Sequence, residues 1–240
     1  MNNAPDLSVV IFAGRQGHAL HGTFLSVERA VIRARETGAS VDITVALHDA
    51  DEATREWLAQ GVAHRCLEIQ ANCLGAARNA AREAVNGRYL AFLDGGELWS
   101  GTFLEKALNL ARGDDREQVL RPAVSLGFAD RYYLQPCYTT RFIPEPDDFE
   151  PSAVLDGNPY PTTFLADRRV LKAVPFPHVD IARGWNAVDW WWCANLLGAS
   201  IEQVPVPGTV HYHPVTSHGE PPAPGRLGPT WLERPPGRAG

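Results

Sequence analysis

Along the first hundred residues the spacing of apolar positions switches back and forth between two periods. "LSVVIFAG" (7–14) is a continuous apolar run closed by glycine, the pattern of a buried strand. "TFLSVERAVIRARETG" (23–38) then places apolar residues at helical spacing and ends on Gly38. "VDITVAL" (41–47) predicts the next strand, "DEATREWLAQG" (51–61) a short helix with an acidic first turn, and "VAHRCLEI" (62–69) a third strand. An alanine-rich helix over 74–87 with a glycine stop and a fourth strand, "RYLAFLD" (88–94), complete the series. Strands and helices in strict alternation predict an α/β fold with a mainly parallel sheet covered by helices. Ligands of such sheets bind beyond the carboxyl ends of the strands, which here are Ala13–Arg15, His48–Asp51 and Asp94–Glu97.

The second half is less regular. A helix over 101–112 precedes "QVLRPAVSLGFADRYYLQPC" (118–137), read as strands around a turn, and a proline- and acid-rich loop over 145–161. "TTFLADRRVLKAV" (162–174) predicts a strand turning into a helix, and "VDWWWCANLLG" (188–198) a short aromatic helix. "SIEQVPVPGTVHYHP" (200–214) reads as edge strands, where proline is tolerated. The tail after Gly219 is rich in Pro and Gly, with Trp231 and Leu232 as its anchors to any surface. No internal repeat is present.

Composition narrows the classes. A net charge of -6 without any basic run argues against nucleic-acid binding, which needs clustered Lys and Arg. No apolar stretch nears the roughly 20 residues that span a bilayer, leaving only peripheral membrane contact. The amino-terminal sequence lacks a basic region ahead of its first apolar run, so no signal peptide is read. Cys66, Cys73, Cys137 and Cys193 are scattered without a CxxC, the usage of free cytosolic thiols, and a cytoplasmic location is expected.

The longest patterned stretch is "NCLGAARNAAREAVNGRYLAFLDGGELWSGTFLEKAL" (72–108). It resembles the family-2 glycosyltransferases of the GT-A fold: an Asn and a Gly-Ala-Ala-Arg-Asn helix start, a Gly-x-Tyr-x-x-Phe-Leu-Asp strand, an acidic corner, then a Trp and a helix with Leu-Glu-Lys. Weaker matches carry the resemblance from about residue 7 to 218. It implies a single GT-A-like domain over 1–218, with a nucleotide-sugar half (about 7–100) and an acceptor half (about 101–218), and a tail over 219–240. The implied activity is transfer of a sugar from a nucleotide-sugar donor to a hydroxyl acceptor, a glycan, glycolipid or small molecule, with inversion, as in polysaccharide assembly.

The resemblance also assigns roles. Asp94, Glu97 and His213 would hold a divalent cation, Mg²⁺ or Mn²⁺, against the diphosphate, and oxygen ligands suit such cations. Ala13, Arg15, Asp49, Arg78 and Asn79 would hold the nucleotide, the last two at a helix start suited to anions. Asp189 would be the general base, with helix capping as its alternative role, and Trp190 and Trp191 would face the acceptor. The departures from the family lie at the chemistry. Its Asp-x-Asp is Asp94-Gly95-Gly96 here, its nucleotide-reading aspartates are replaced by Leu47-His48-Asp49, and counting back from Gly198 puts its Glu-Asp pair at Asn186-Ala187. Two rival readings follow: a non-catalytic GT-A-like binding or scaffolding protein, and a nucleotidyltransferase, for which "FAGRQGHALHG" (12–22) lacks the tight GxG spacing.

Overall fold

The computed structural model describes residues 4–61, 64–129, 138–152, 158, 160–178 and 188–215. Within them the first half folds as its periodicity predicts: β1 (Leu7–Ala13), α1 (Leu20–Glu36), β2 (Val41–Leu47), α2 (Glu52–Ala59), β3 (Arg65–Glu68), α3 (Leu74–Ala84) and β4 (Tyr89–Asp94). A two-residue strand β5 (Leu98–Trp99) and α4 (Phe103–Gly113) lead to β6 (Gln118–Ala129), β7 (Tyr138–Phe142), β8 (Phe164–Asp167), α5 (Arg168–Ala173), α6 (Val188–Gly198) and β9 (Glu202–Val215). The turn expected between β6 and β7, the anchors Trp231 and Leu232, Cys137 and Asn186-Ala187 lie outside the described residues.

All nine strands join one sheet in the order β3-β2-β1-β4-β8-β6-β9-β5, with β7 beside the far half of β6. The sheet is mixed: β1 is parallel to β2 and β4, β2 to β3, and β6 to β9, while β8 is antiparallel to β4 and β6. Both faces are covered, which is why β1 is apolar throughout rather than alternating. Leu7, Val9 and Ile11 pack with α1 and α4 on one face. Val10 and Phe12 pack with α3, α5 and α6 on the other.

Three boundaries differ from expectation. α1 begins at Leu20 because a 3-10 turn (Gly17–Ala19) runs straight into it. α3 stops at Ala84, short of Gly87, where Val85 turns extended. The last strand is not an edge along its length: β9 pairs with β6 throughout and with β5 at His211 and Tyr212. Pro205 and Pro214 stay in register with Arg121 and Phe128, whereas Pro207 falls in an irregularity opposite Pro122–Val124. There Thr209 Oγ1 accepts from the Ala123 N–H at 3.2 Å, supplying the acceptor the interrupted ladder lacks. The registers Ala13↔Leu47 and Phe12↔Asp94 bring the carboxyl ends of β1, β2 and β4 to one level.

Candidate functional site

At that level β4 ends in a tight turn. The Glu97 N–H donates to the Asp94 carbonyl at 3.1 Å, and Gly96 has φ +90°, the positive third-residue φ of a type II turn. The turn is pinned from both sides: Gly95 N–H donates to the Phe12 carbonyl at 2.7 Å and Gly96 N–H to Thr23 Oγ1 at 2.8 Å. An aspartate at 96 would have to adopt a left-handed backbone that side chains rarely tolerate. The missing second carboxylate of the corner is therefore a property of the backbone here, and not of one side chain alone.

Asp94 faces Arg78 from α3. Arg78 is 1% exposed; its Nη2 donates to Asp94 Oδ2 at 3.1 Å, and its Nη1 donates to Asp189 Oδ1 on α6. Residues from a helix, a strand and a second helix, up to 111 positions apart, thus meet in one buried ion triad. The guanidinium also lies over the rings of Phe12 and Phe176, 5.9 and 5.5 Å from their centroids. α3 is fixed in place by backbone contact. A side chain on Gly75 would meet the Pro177 carbonyl at 1.9 Å, and Asn79 exchanges two hydrogen bonds with the Phe176 backbone at 2.8 and 3.0 Å.

Burial pushes the Asp94 carboxyl up to about 7; Arg78 pulls it down, but Glu97 and Asp189 add to the rise. Burial works against the charge of Arg78, yet the carboxylates of Asp189 and Asp94 outweigh it and raise its pKa.

A second buried chain runs beside the triad. Glu97 Oε2 lies 2.9 Å from His211 Nε2, and His211 Nδ1 lies 3.0 Å from Ser125 Oγ. Burial raises Glu97 well above the usual carboxyl range, and burial followed by the charge of Arg121 lowers His211 to about 3. His211 is then uncharged at neutral pH, with one ring nitrogen against Glu97 and the other against Ser125. The His213 ring stacks on His211 with centroids 5.6 Å apart, as two-residue alternation on one strand face requires. Both imidazoles are buried, not half-exposed.

Burial fixes a sign for the effect of pH. The folded state holds the Asp94 proton more tightly than the unfolded chain, so this group stabilises the fold toward acid. That contribution is lost as pH rises from the unfolded value of 3.8 through about 7. Asp94→Asn mimics the protonated side chain. Urea midpoints of variant and wild type are expected to agree near pH 4 and to diverge in favour of the variant by about pH 8. A difference that does not change with pH would mean that Asp94 titrates as an ordinary surface carboxyl.

The remaining expected site residues take no part in this ion triad. Ala13 is buried at the end of β1, and its carbonyl accepts from the His48 N–H at 3.1 Å. Arg15 and Asp49 are exposed, Asp49 with φ +51°. Asp51 caps α2 by accepting from the Thr54 N–H at 2.9 Å. On α6, Trp191 is 42% exposed and stands edge-on to Trp190. Trp192 is core, its Nε1 donating to the Val174 carbonyl at 2.9 Å.

Sequence reasoning passed over Arg121 on β6, which is 1% exposed. Its fork donates to Gln203 Oε1 at 2.6 and 3.1 Å, to the Pro161 carbonyl, and to the Thr163 carbonyl at 3.3 Å. It also lies within 5.4–5.6 Å of the Tyr160, Phe164 and Trp192 ring centroids. The available signal was a lone arginine inside the apolar run "QVLRPAV".

The fit of a divalent cation can be tested on these residues. In its favour, Glu97 Oε1 is buried without a hydrogen-bond partner among the described residues. Against it, both Asp94 oxygens face Arg78 Nη2, at 3.1 and 3.4 Å. No group of three or more His, Cys, Asp or Glu among the described residues comes together to hold a metal ion. The described residues do not fit a divalent cation. Free cysteines among them are Cys66, exposed, and Cys73 and Cys193, buried. No described helix is long and apolar enough to cross a membrane.

No protein-family model matches the chain. No curated protein matches it either. Solved structures do. S. aureus TarS in complex with UDP superposes with a TM-score of 0.59 at 14% identity, over 88% of this chain and 60% of that one. The mannosyltransferase PcManGT from Pyrobaculum calidifontis, in complex with GDP-Man and Mn²⁺, gives 0.58 at 13% identity, over 91% and 59%. TarS with UDP-GlcNAc gives 0.59 at 14%, over 87% and 58%. The chain thus spans about 60% of the length of the TarS fragment it matches. The likeness establishes a GT-A-like glycosyltransferase fold, as the sequence led one to expect.

Proposed function

We propose that the chain is a glycosyltransferase that binds a nucleoside-diphosphate sugar at the carboxyl ends of β1, β2 and β4 and passes the sugar to a hydroxyl acceptor. The observation that carries this reading is the convergence of Arg78, Asp94 and Asp189, from three separated elements, on the ligand-binding end of a GT-A-like sheet. Arg15 and Asp49 on the rim are the groups that reach the nucleotide, with the Ala13 end of β1 beneath it. Arg78, Asn79 and Asp94 set the floor.

Asp189 accepts the acceptor's proton as its oxygen attacks the anomeric carbon from the face opposite the diphosphate, so the product is inverted. Arg78, bonded to Asp189 Oδ1, fixes the orientation of that carboxylate. Trp190 and Trp191 offer flat apolar surface to the acceptor beside it. Residues 1–218 would form this single domain in a cytoplasmic setting, with 219–240 as a tail. Mg²⁺ or Mn²⁺ at Asp94, Glu97 and His213, expected from the sequence, has no step in this mechanism because the described residues do not fit it.

A specific observation favours a second reading, a GT-A-like binding protein without turnover: one guanidinium engages both carboxylates that the chemistry needs. Thermal-shift titrations with UDP, GDP, TDP, CMP and ADP, followed by release of free nucleotide from the matching sugar nucleotide, separate the two. A midpoint rise of several degrees with one diphosphate, lost in Asp49→Ala, together with acceptor-dependent release, is expected. A rise without release supports the binding protein. No response to any nucleotide removes both.

A further inference from the structure

We infer that the Arg78 guanidinium is the resident cation of the acidic corner, held in the position a divalent metal would need, so that this corner takes up no metal. For its location in a donor site the inference rests on the reading above; its cation chemistry does not.

Three features of the chain lead there. The turn after β4 has φ +90° at Gly96, so the corner cannot present a second carboxylate without rebuilding its backbone. Glu97, next along, is committed to His211, which in turn is committed to Ser125. Among the described residues, Asp94 and Asp189 are each hydrogen-bonded to one terminal nitrogen of the same guanidinium. A planar fork that bridges two acids from different elements does part of what a shared metal ion does in such a place: it draws the acids together and offsets their repulsion. A dication cannot join them while that fixed positive charge lies against the same oxygens. Unlike a metal, this cation is covalently part of α3, anchored by Asn79 and by the close approach of Gly75 to Pro177.

The inference predicts both an absence and its reversal. Mn²⁺ alone is the probe, followed by the electron paramagnetic resonance signal of the free aqua ion. With the full wild-type chain at equimolar Mn²⁺ the signal should be undiminished, and EDTA should leave the thermal midpoint unchanged. In Arg78→Met the two carboxylates lose their cation. About one equivalent of Mn²⁺ should then be silenced and the midpoint should rise by several degrees with Mn²⁺, both effects disappearing in Arg78→Met combined with Asp94→Asn.

Saturable uptake of one Mn²⁺ by wild type that Asp94→Asn abolishes would overturn the inference, as would a folded Arg78→Met that binds none. If Arg78→Met does not fold, the wild-type titration decides alone. A nucleotide shift that needs both Mn²⁺ and Asp94 overturns this inference but keeps the donor site. Failure of every nucleotide removes the donor site and leaves the Mn²⁺ result standing.

Discussion

Arg78→Ala is expected to lower the unfolding free energy by about 3–5 kcal/mol in a urea titration at neutral pH, the usual cost of leaving buried charge without its partner. The size follows from position. Arg78 is 1% exposed and holds two carboxylates, themselves buried, from β4 and α6. Once it is gone, Asp94 and Asp189 face each other and Glu97 without the guanidinium that bridged the first two. Arg78→Lys keeps the charge but cannot present two nitrogens in a fixed plane to two acids, so it should recover less than half of the loss. Arg78→Ala combined with Asp94→Asn should be more stable than Arg78→Ala alone, because one unpaired charge is removed. A loss below about 1 kcal/mol for the single variant would show the triad to be solvated and the corner open.

Arg121→Met is expected to cost at least about 3 kcal/mol in the same assay, for a different reason. Among the described residues Arg121 forms no salt bridge; it serves neutral acceptors, the Gln203 side chain and the Pro161 and Thr163 carbonyls. Methionine fills similar space between Tyr160, Phe164 and Trp192, so little cavity arises, but three buried acceptors lose their donor at about 1–3 kcal/mol each. A second substitution separates this account from a packing effect. Gln203→Leu in the Arg121→Met background removes one orphaned acceptor and should restore about 1 kcal/mol or more. If Arg121→Met is near neutral, relaxed backbone or water satisfies those carbonyls and the arginine is not what ties β6 to the 160–164 segment.

The two arginines show how differently the crevice and its surroundings were legible. Arg78 stood in a motif, and its motif placed it at a helix start near the acidic corner. Arg121 stood in no motif, and a charged residue inside an apolar run gives no hint of which carbonyls will receive it. Asp51 illustrates the opposite case: it caps α2 by an arrangement that spans three residues, so it depends on neighbours in the chain alone.

What the sequence by itself determined is therefore whatever depends on neighbours in the chain. The period of apolar positions set the strand–helix alternation of the first half and both buried faces of β1, because burial repeats every two residues in a strand and every 3.6 in a helix. It also put His211 and His213 on one face. Only the tertiary structure decided that Glu97 reaches His211 across 114 positions, that Asp189 closes on Arg78, and that β5 covers the outer side of β9 at His211 and Tyr212. It decided too that Gly96 carries a turn in which a second acid has no place. Each of these is a contact between segments whose separation along the chain carries no information about their separation in space. The energy of a buried charge depends on what surrounds it in space, so the chemistry of this corner was settled by packing.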